Sequence, residues 1–95
     1  MATVMLMHWP EVTKEQYEQV RRDVNWEGDI PNGAKFHVAW FGADGFRVLD
    51  LWDSPEQFQT FVQQRLMPGV QRTGVQGQPK VELGESVSIF APNPT

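Results

Sequence analysis

The chain contains no cysteine, which removes disulfides, thiolate nucleophiles and sulfur-ligated metals from consideration. Positive charge is scarce: eight Lys and Arg stand against twelve Asp and Glu, a net charge of −4. With no basic run, nucleic acid and an anionic membrane surface are poor partners. Long apolar runs are also missing. The stretch Val4 to Met7 has no basic leader and is too short for a signal peptide or a membrane span, so a cytoplasmic protein is expected. The two histidines fall on different predicted strands among scattered carboxylates, which is no metal-ligand spacing, and no structural zinc is expected. No phosphate-cradling glycine loop precedes a helix, and Ser54 reads as a helix cap rather than a nucleophile. Neither a metal nor a resident cofactor is predicted.

What is present is aromatic. Four tryptophans and six phenylalanines occur in 95 residues, and such side chains concentrate in cores, interfaces and ligand pockets. The composition, 40% hydrophobic and 21% charged, is that of a folded chain. Its length predicts one domain over residues 1–95, near the size at which a monomeric core barely offsets conformational entropy.

Apolar periodicity and caps order the elements. Thr3-Val4-Met5-Leu6-Met7-His8-Trp9, bounded by Pro10, reads as a buried first strand. Thr13 with Gln16 forms a capping box, Val12 can staple onto Tyr17, and Tyr17, Val20 and Val24 make the apolar stripe of a first helix. The connection Asn25 to Gly33 includes Trp26 and Ile30, which a purely solvated loop would not need, and is expected to fold back as a cover. Strands follow at about Ala34 to Phe41 and Phe46 to Trp52. Ser54, Pro55 and Gln57 start a second helix with Phe58, Phe61, Val62 and Leu66 on its inner face. Pro68-Gly69 should end it, leaving a loop to Pro79 with a short helical turn near Val70-Gln71-Arg72. A last strand is predicted from Val81 to Phe90, bent at Gly84, with an extended tail from Ala91 to Thr95. Strand, helix, strand, strand, helix, strand is the α+β, ferredoxin-like βαββαβ order: a four-stranded antiparallel sheet with both helices on one face.

The hairpin His37 to Trp52 carries large apolar side chains on both faces. The helices can cover one of them, so Trp40, Leu49 and Leu51 on the other are expected to meet a second copy of the chain, with Arg47 at its border needing a carboxylate partner. A turn of two or four residues within Gly42-Ala43-Asp44-Gly45 puts His37 on the same face as Asp50 and Trp52, with the imidazole beside the carboxylate. A three-residue turn with a glycine bulge would turn His37 to the opposite face. In the first register the carboxylate fixes the histidine's tautomer and raises its basicity, as a general base requires. The same pair also arises in sheets with no catalytic role.

The passage Asp50-Leu51-Trp52-Asp53-Ser54-Pro55-Glu56-Gln57-Phe58, an acidic residue and tryptophan followed by a polar cap and a phenylalanine, resembles the small antibiotic-biosynthesis-monooxygenase-like proteins of the dimeric α+β barrel superfamily. Element order and length extend the resemblance over essentially the whole chain. It implies a homodimer through sheet faces, with a pocket in each protomer between its sheet and helices. Its members include cofactor-independent oxygenases, haem-degrading enzymes, polyketide cyclases and isomerases. Trp52 matches the pocket tryptophan of the oxygenase and haem-degrading members. Where those oxygenases resemble one another in an asparagine before that tryptophan, this chain has Val48. Haem-degrading members place a histidine on the second helix, and Phe58 to Leu66 contains none, so haem is disfavoured.

Two readings result. In one, a cofactor-independent enzyme binds a small apolar or aromatic molecule against Trp52, Tyr17, Phe58 and Phe61, with His8 at the pocket mouth, and His37 oriented by Asp50 removes a proton for cyclisation, isomerisation or oxygenation. In the other, a non-catalytic dimeric binding or scaffold domain uses the same residues as core. The volume of the cavity and the position of the His37 imidazole separate them.

Overall fold

The computed structural model describes residues 1–92. Its elements are β1 (Thr3–Trp9), α1 (Lys14–Val24), β2 (Ala34–Gly42), β3 (Gly45–Trp52), α2 (Pro55–Phe61), a π-helical segment (Val62–Leu66), α3 (Met67–Thr73) and β4 (Lys80–Glu85). The strands form one antiparallel sheet of four in the order β2-β3-β1-β4, the ferredoxin-like arrangement expected from the sequence. No helix among the described residues is long and apolar enough to cross a membrane.

Side-chain alternation along β1 and β3 divides the sheet. Met5, Met7 and Trp9 on β1, and Phe46, Val48 and Trp52 on β3, are buried together with Val20 and Val24 of α1, Phe58 and Phe61 of α2 and Val70 of α3. The capping box at Thr13 is formed, its hydroxyl accepting from the Gln16 amide while the Gln16 side chain accepts from the Thr13 amide. Ser54 caps α2 through the Gln57 amide.

The second helical stretch does not stop at Pro68-Gly69. It runs on to Thr73 and ends at Gly74, which is left-handed at φ 78°. Proline lacks the N–H for a bond to the i−4 carbonyl, and its ring crowds the preceding turn. Here Met67 donates to the carbonyl of Val62 across a widened turn, which relieves that crowding immediately upstream. Gly69 serves packing instead of termination: a Cβ there would lie 2.6 Å from Val24 Cγ2, where α3 crosses α1.

Strand β4 is shorter than the Val81–Phe90 of the sequence reading. Its partner β1 begins at Thr3, opposite Glu85, and the final contacts are made by Ser86, whose amide donates to Ala2 O and whose hydroxyl accepts from Ala2 N. Beyond that no neighbouring strand remains to pair with, and Val87, Ile89 and Phe90 are exposed. Residues 93–95 of the predicted tail lie outside the described residues.

The central hairpin closes with Gly42 opposite Gly45, the even register of the two left open by the sequence. Arg47 finds its carboxylate within the turn itself, in Asp44. Gly45 adopts φ 110°, and a Cβ there would sit 2.7 Å from Pro10 Cα. A side chain at this position therefore meets both backbone strain and a clash. Gly45→Ala is expected to lower unfolding stability by about 2 kcal/mol, measured by urea denaturation; a variant within experimental error of the parent would refute this account of the turn.

Candidate functional site

Register brings the site together. His37 on β2 lies directly opposite Asp50 on β3, and both project to the helix side, where Met5, Val48 and Trp52 are buried. His37 Nδ1 is 2.7 Å from Asp50 Oδ1. The Trp52 indole N–H donates to Asp50 Oδ2 at 3.1 Å. From α1, the Tyr17 hydroxyl reaches His37 Nε2 at 2.8 Å. The ionised carboxylate can only accept, so with neutral imidazole the proton sits on Nδ1, Nε2 presents its lone pair and the phenol donates to it. Trp52, Asp50, His37 and Tyr17 form one continuous chain of hydrogen bonds.

Packing fixes each member. The Trp52 ring meets Phe58 at 5.7 Å and Phe61 at 5.4 Å between centroids. Tyr17 is wedged against Phe46 at 5.1 Å and Trp26 at 6.0 Å, and Trp26 sets an edge against the imidazole at 5.2 Å. Burial, chiefly, pushes the Tyr17 phenol from its ordinary 10.0 up to about 12, and nearby acidic groups add to the rise against the opposing Arg21. The covering loop is tied to α1 by Arg21, which donates from Nε and Nη2 to Glu27 at 2.7 and 2.8 Å; this bond holds the Glu27 carboxyl below its usual range.

These residues surround a cavity of about 310 Å³ between sheet and helices. Its walls include Met5, Met7, Trp52, Phe58 and Phe61, with His37, Asp50, Tyr17 and Lys35 as polar points in a mainly apolar lining, the usual composition of a small-molecule site. Among the described residues no cluster of three metal-ligating side chains occurs.

Of the residues singled out in the sequence, His37, Asp50, Trp52, Tyr17, Phe58 and Phe61 all border this cavity. His8 does not. It points to the other face of the sheet, where β1 pairs it with Arg47 and Lys80, and its Nε2 lies 2.9 Å from the carbonyl of Asp44. The alternation that directs Met7 and Trp9 inward sends His8 outward, where it ties down the hairpin turn. Two contributors carry little signal in the sequence. Trp26 reads there only as part of a cover, yet it touches both the tyrosine and the histidine. Lys35 reaches the cavity wall because the register shifts between Ala34 and Phe36, leaving Lys35 as the extra residue of a bulge that no feature of the sequence announces.

With helices on one face of an antiparallel four-stranded sheet and a cavity between the layers, the class is an α+β, ferredoxin-like domain of the kind from which dimeric barrels are built. Comparison of structures narrows this. A protein of unknown function from Nitrosomonas europaea matches with TM-score 0.69 at 16% identity, covering 98% of this chain and 97% of that one. SnoaB, a cofactor-independent oxygenase from Streptomyces nogalater, matches at 0.65 and 12%, covering 97% of each. The ActVA-Orf6 monooxygenase of Streptomyces coelicolor, solved with the ligand nanaomycin D, matches at 0.61 and 17%, covering 97% of this chain and 93% of that one. No protein-family model matches the sequence, and no curated protein does. The chain has the antibiotic-biosynthesis-monooxygenase-like fold.

Tyr17 is the single tyrosine, so the near-ultraviolet absorbance of phenolate reports it alone. Its titration in the folded protein is expected near 12 instead of 10. Between those values the unfolded state binds fewer protons than the folded one, so stability is complete below 10 and declines as pH rises through the window. A midpoint at 10 in the folded protein would show that the phenol is not held as described.

Proposed function

We propose that the protein is a small cofactor-independent enzyme that removes a proton from an aromatic molecule bound in the cavity between sheet and helices. The observation that carries this reading is the His37–Asp50 pair set into an apolar, ring-sized space. The Asp50 carboxylate is buried and attracts an imidazolium on His37, whose side chain is 32% exposed at the cavity edge, while Trp52 and the β2–β3 register hold the carboxylate in place. A proton taken by the pair leaves an electron pair on the substrate, conjugated with its ring. That anion is the common starting point for isomerisation, for cyclisation and for reaction with dioxygen. The fold shared with ActVA-Orf6, which was solved with nanaomycin D, supports a ligand of this kind. Val48 stands where the oxygenases this chain resembles have an asparagine, so the protein's own part is the formation of the anion, and any later step with dioxygen proceeds without its help.

The alternative, a binding domain without chemistry, draws on the same cavity and leaves the polar chain as a structural element. The two readings separate with 1,4-dihydroxynaphthalene, a two-ring hydroxyaromatic whose anion air oxidises to the quinone while dioxygen is reduced to hydrogen peroxide. The protein should accelerate its conversion over buffer, and His37→Ala should lose about 100-fold of that acceleration, the scale of general-base catalysis. Equal rates for the two proteins, or no acceleration at all, would sink the enzymatic reading.

The assembly proposed for this enzyme is a homodimer through the sheet. On the face away from the helices, Val4, Leu6, Leu49 and Leu51 are only half-buried, and Phe36, Val38 and Trp40 on β2 are each 38–39% exposed. A contiguous apolar face of this kind is unfavourable in water. Sedimentation at micromolar concentration should show twice the mass of 10.9 kDa, and Leu49→Asp should shift the protein toward the monomer; a wild-type monomer would defeat this assembly.

A further inference from the structure

Resting on the reading above that a proton leaves a ligand in this cavity, we propose that Tyr17 is a catalytic residue: its phenol meets a hydroxyl of the aromatic substrate and hands the proton on to His37.

The lone pair of His37 that a substrate would need is already engaged. Nδ1–H is committed to Asp50 at 2.7 Å, and Nε2 accepts from Tyr17 at 2.8 Å. The tyrosine cannot simply swing aside. It stands at the fourth position of α1, it packs on Phe46 and on Trp26, and Trp26 in turn closes an edge of the imidazole. The phenol oxygen has acceptor capacity left after donating its one proton, and among the described residues it makes no hydrogen bond other than the one to His37. The ring is part of the cavity wall. A substrate hydroxyl therefore has an acceptor in Tyr17 Oη, with the imidazole one bond further on.

Proton transfer through these atoms balances without a co-reactant. The substrate O–H bond breaks and its proton goes to Tyr17 Oη as the phenol O–H bond breaks and its own proton goes to His37 Nε2. Tyrosine begins and ends neutral, the electron pair stays on the substrate oxygen, and the positive charge appears on an imidazolium facing the Asp50 carboxylate. Because burial holds the phenol protonated to about pH 12, tyrosinate does not accumulate, and the two transfers must be coupled. Trp52 acts through Asp50 and is a positioning residue. The substrate class narrows accordingly to aromatic molecules bearing a phenolic or enolic hydroxyl.

The test uses Tyr17→Phe and His37→Ala beside wild type, with helical content checked by circular dichroism. Turnover of 1,4-dihydroxynaphthalene is read as separate kcat and KM, and binding of its unreactive analogue 1-naphthol as a dissociation constant. A relay predicts that Tyr17→Phe lowers kcat by at least about 100-fold, the scale of a lost acid–base group. KM and the naphthol constant should rise by no more than about 5-fold, the scale of one lost hydrogen bond. A kcat for Tyr17→Phe equal to or above wild type would show that the phenol merely plugs the base, and the relay would fall while the role of His37 stands. If wild type does not turn the probe over, the enzymatic reading fails and the relay that rests on it falls too. Where wild type does turn it over, the imidazole ¹⁵N resonances give a second reading: under saturating 1-naphthol, an Nε2 signal that stays as it is with Tyr17 in place supports the relay, and one that moves as the naphthol takes over Nε2 overturns it.

Discussion

A carboxylate inside an apolar layer must have its acceptor sites filled, and in this protein that requirement organises everything around it. Asp50 is 7% exposed and projects among methionine, valine and aromatic side chains. Left unpartnered, such a group would be costly to bury. One oxygen receives the Trp52 indole N–H and the other the His37 imidazole, and no buried side-chain polar atom among the described residues lacks a partner. The donors come from the same strand and from the adjacent one, so satisfying the carboxylate needs only a correct hairpin register.

That register is a local property with consequences at a distance. Gly42 opposite Gly45 sets the pairing at one end of the hairpin. At the other end the bulge at Lys35 absorbs one residue before Ala34 meets Trp52, so the alternation of faces is kept where it matters and altered where the cavity opens. A slip by one residue would place the histidine on the far face and leave the carboxylate without its imidazole partner. The helices then complete the arrangement: α1 contributes the phenol to the chain, and α2 with its π-helical continuation and α3 closes the far wall. The widened turn also lets one long helical stretch carry a proline and still lay Gly69 against Val24 of α1.

Much of this could be read in advance. Caps at Thr13 and Ser54, the apolar run of β1, and the stripe of Phe58, Phe61 and Leu66 define the element order, because each depends on residues close together in the chain. The His37–Asp50 contact was one of two registers, and a two-residue turn cannot be told from a three-residue one by glycine content alone. Pro68-Gly69 reads as a stop because the i−5 bond that accommodates the proline has no residue signature. The end of β4 was misplaced for a related reason: pairing stops where β1 begins, a limit set by the partner strand and not by the apolar run Val87 to Phe90. His8 at the end of β1 reads as a pocket-mouth residue, although alternation sends it outward.

Local chemistry along the chain set the order of helices and strands, though not where the second helical stretch and β4 end, and it gave the sheet two oily faces, one of which His37, Asp50 and Trp52 could share. Only the folded arrangement decided that they do, that Tyr17 arrives from a helix twenty residues earlier to complete the chain at 2.8 Å, and that a cavity of about 310 Å³ remains beside it. The physical reason is that caps and periodicity act over one or two turns of chain. Register, side-chain reach across layers and unfilled volume are settled by how all the elements pack at once.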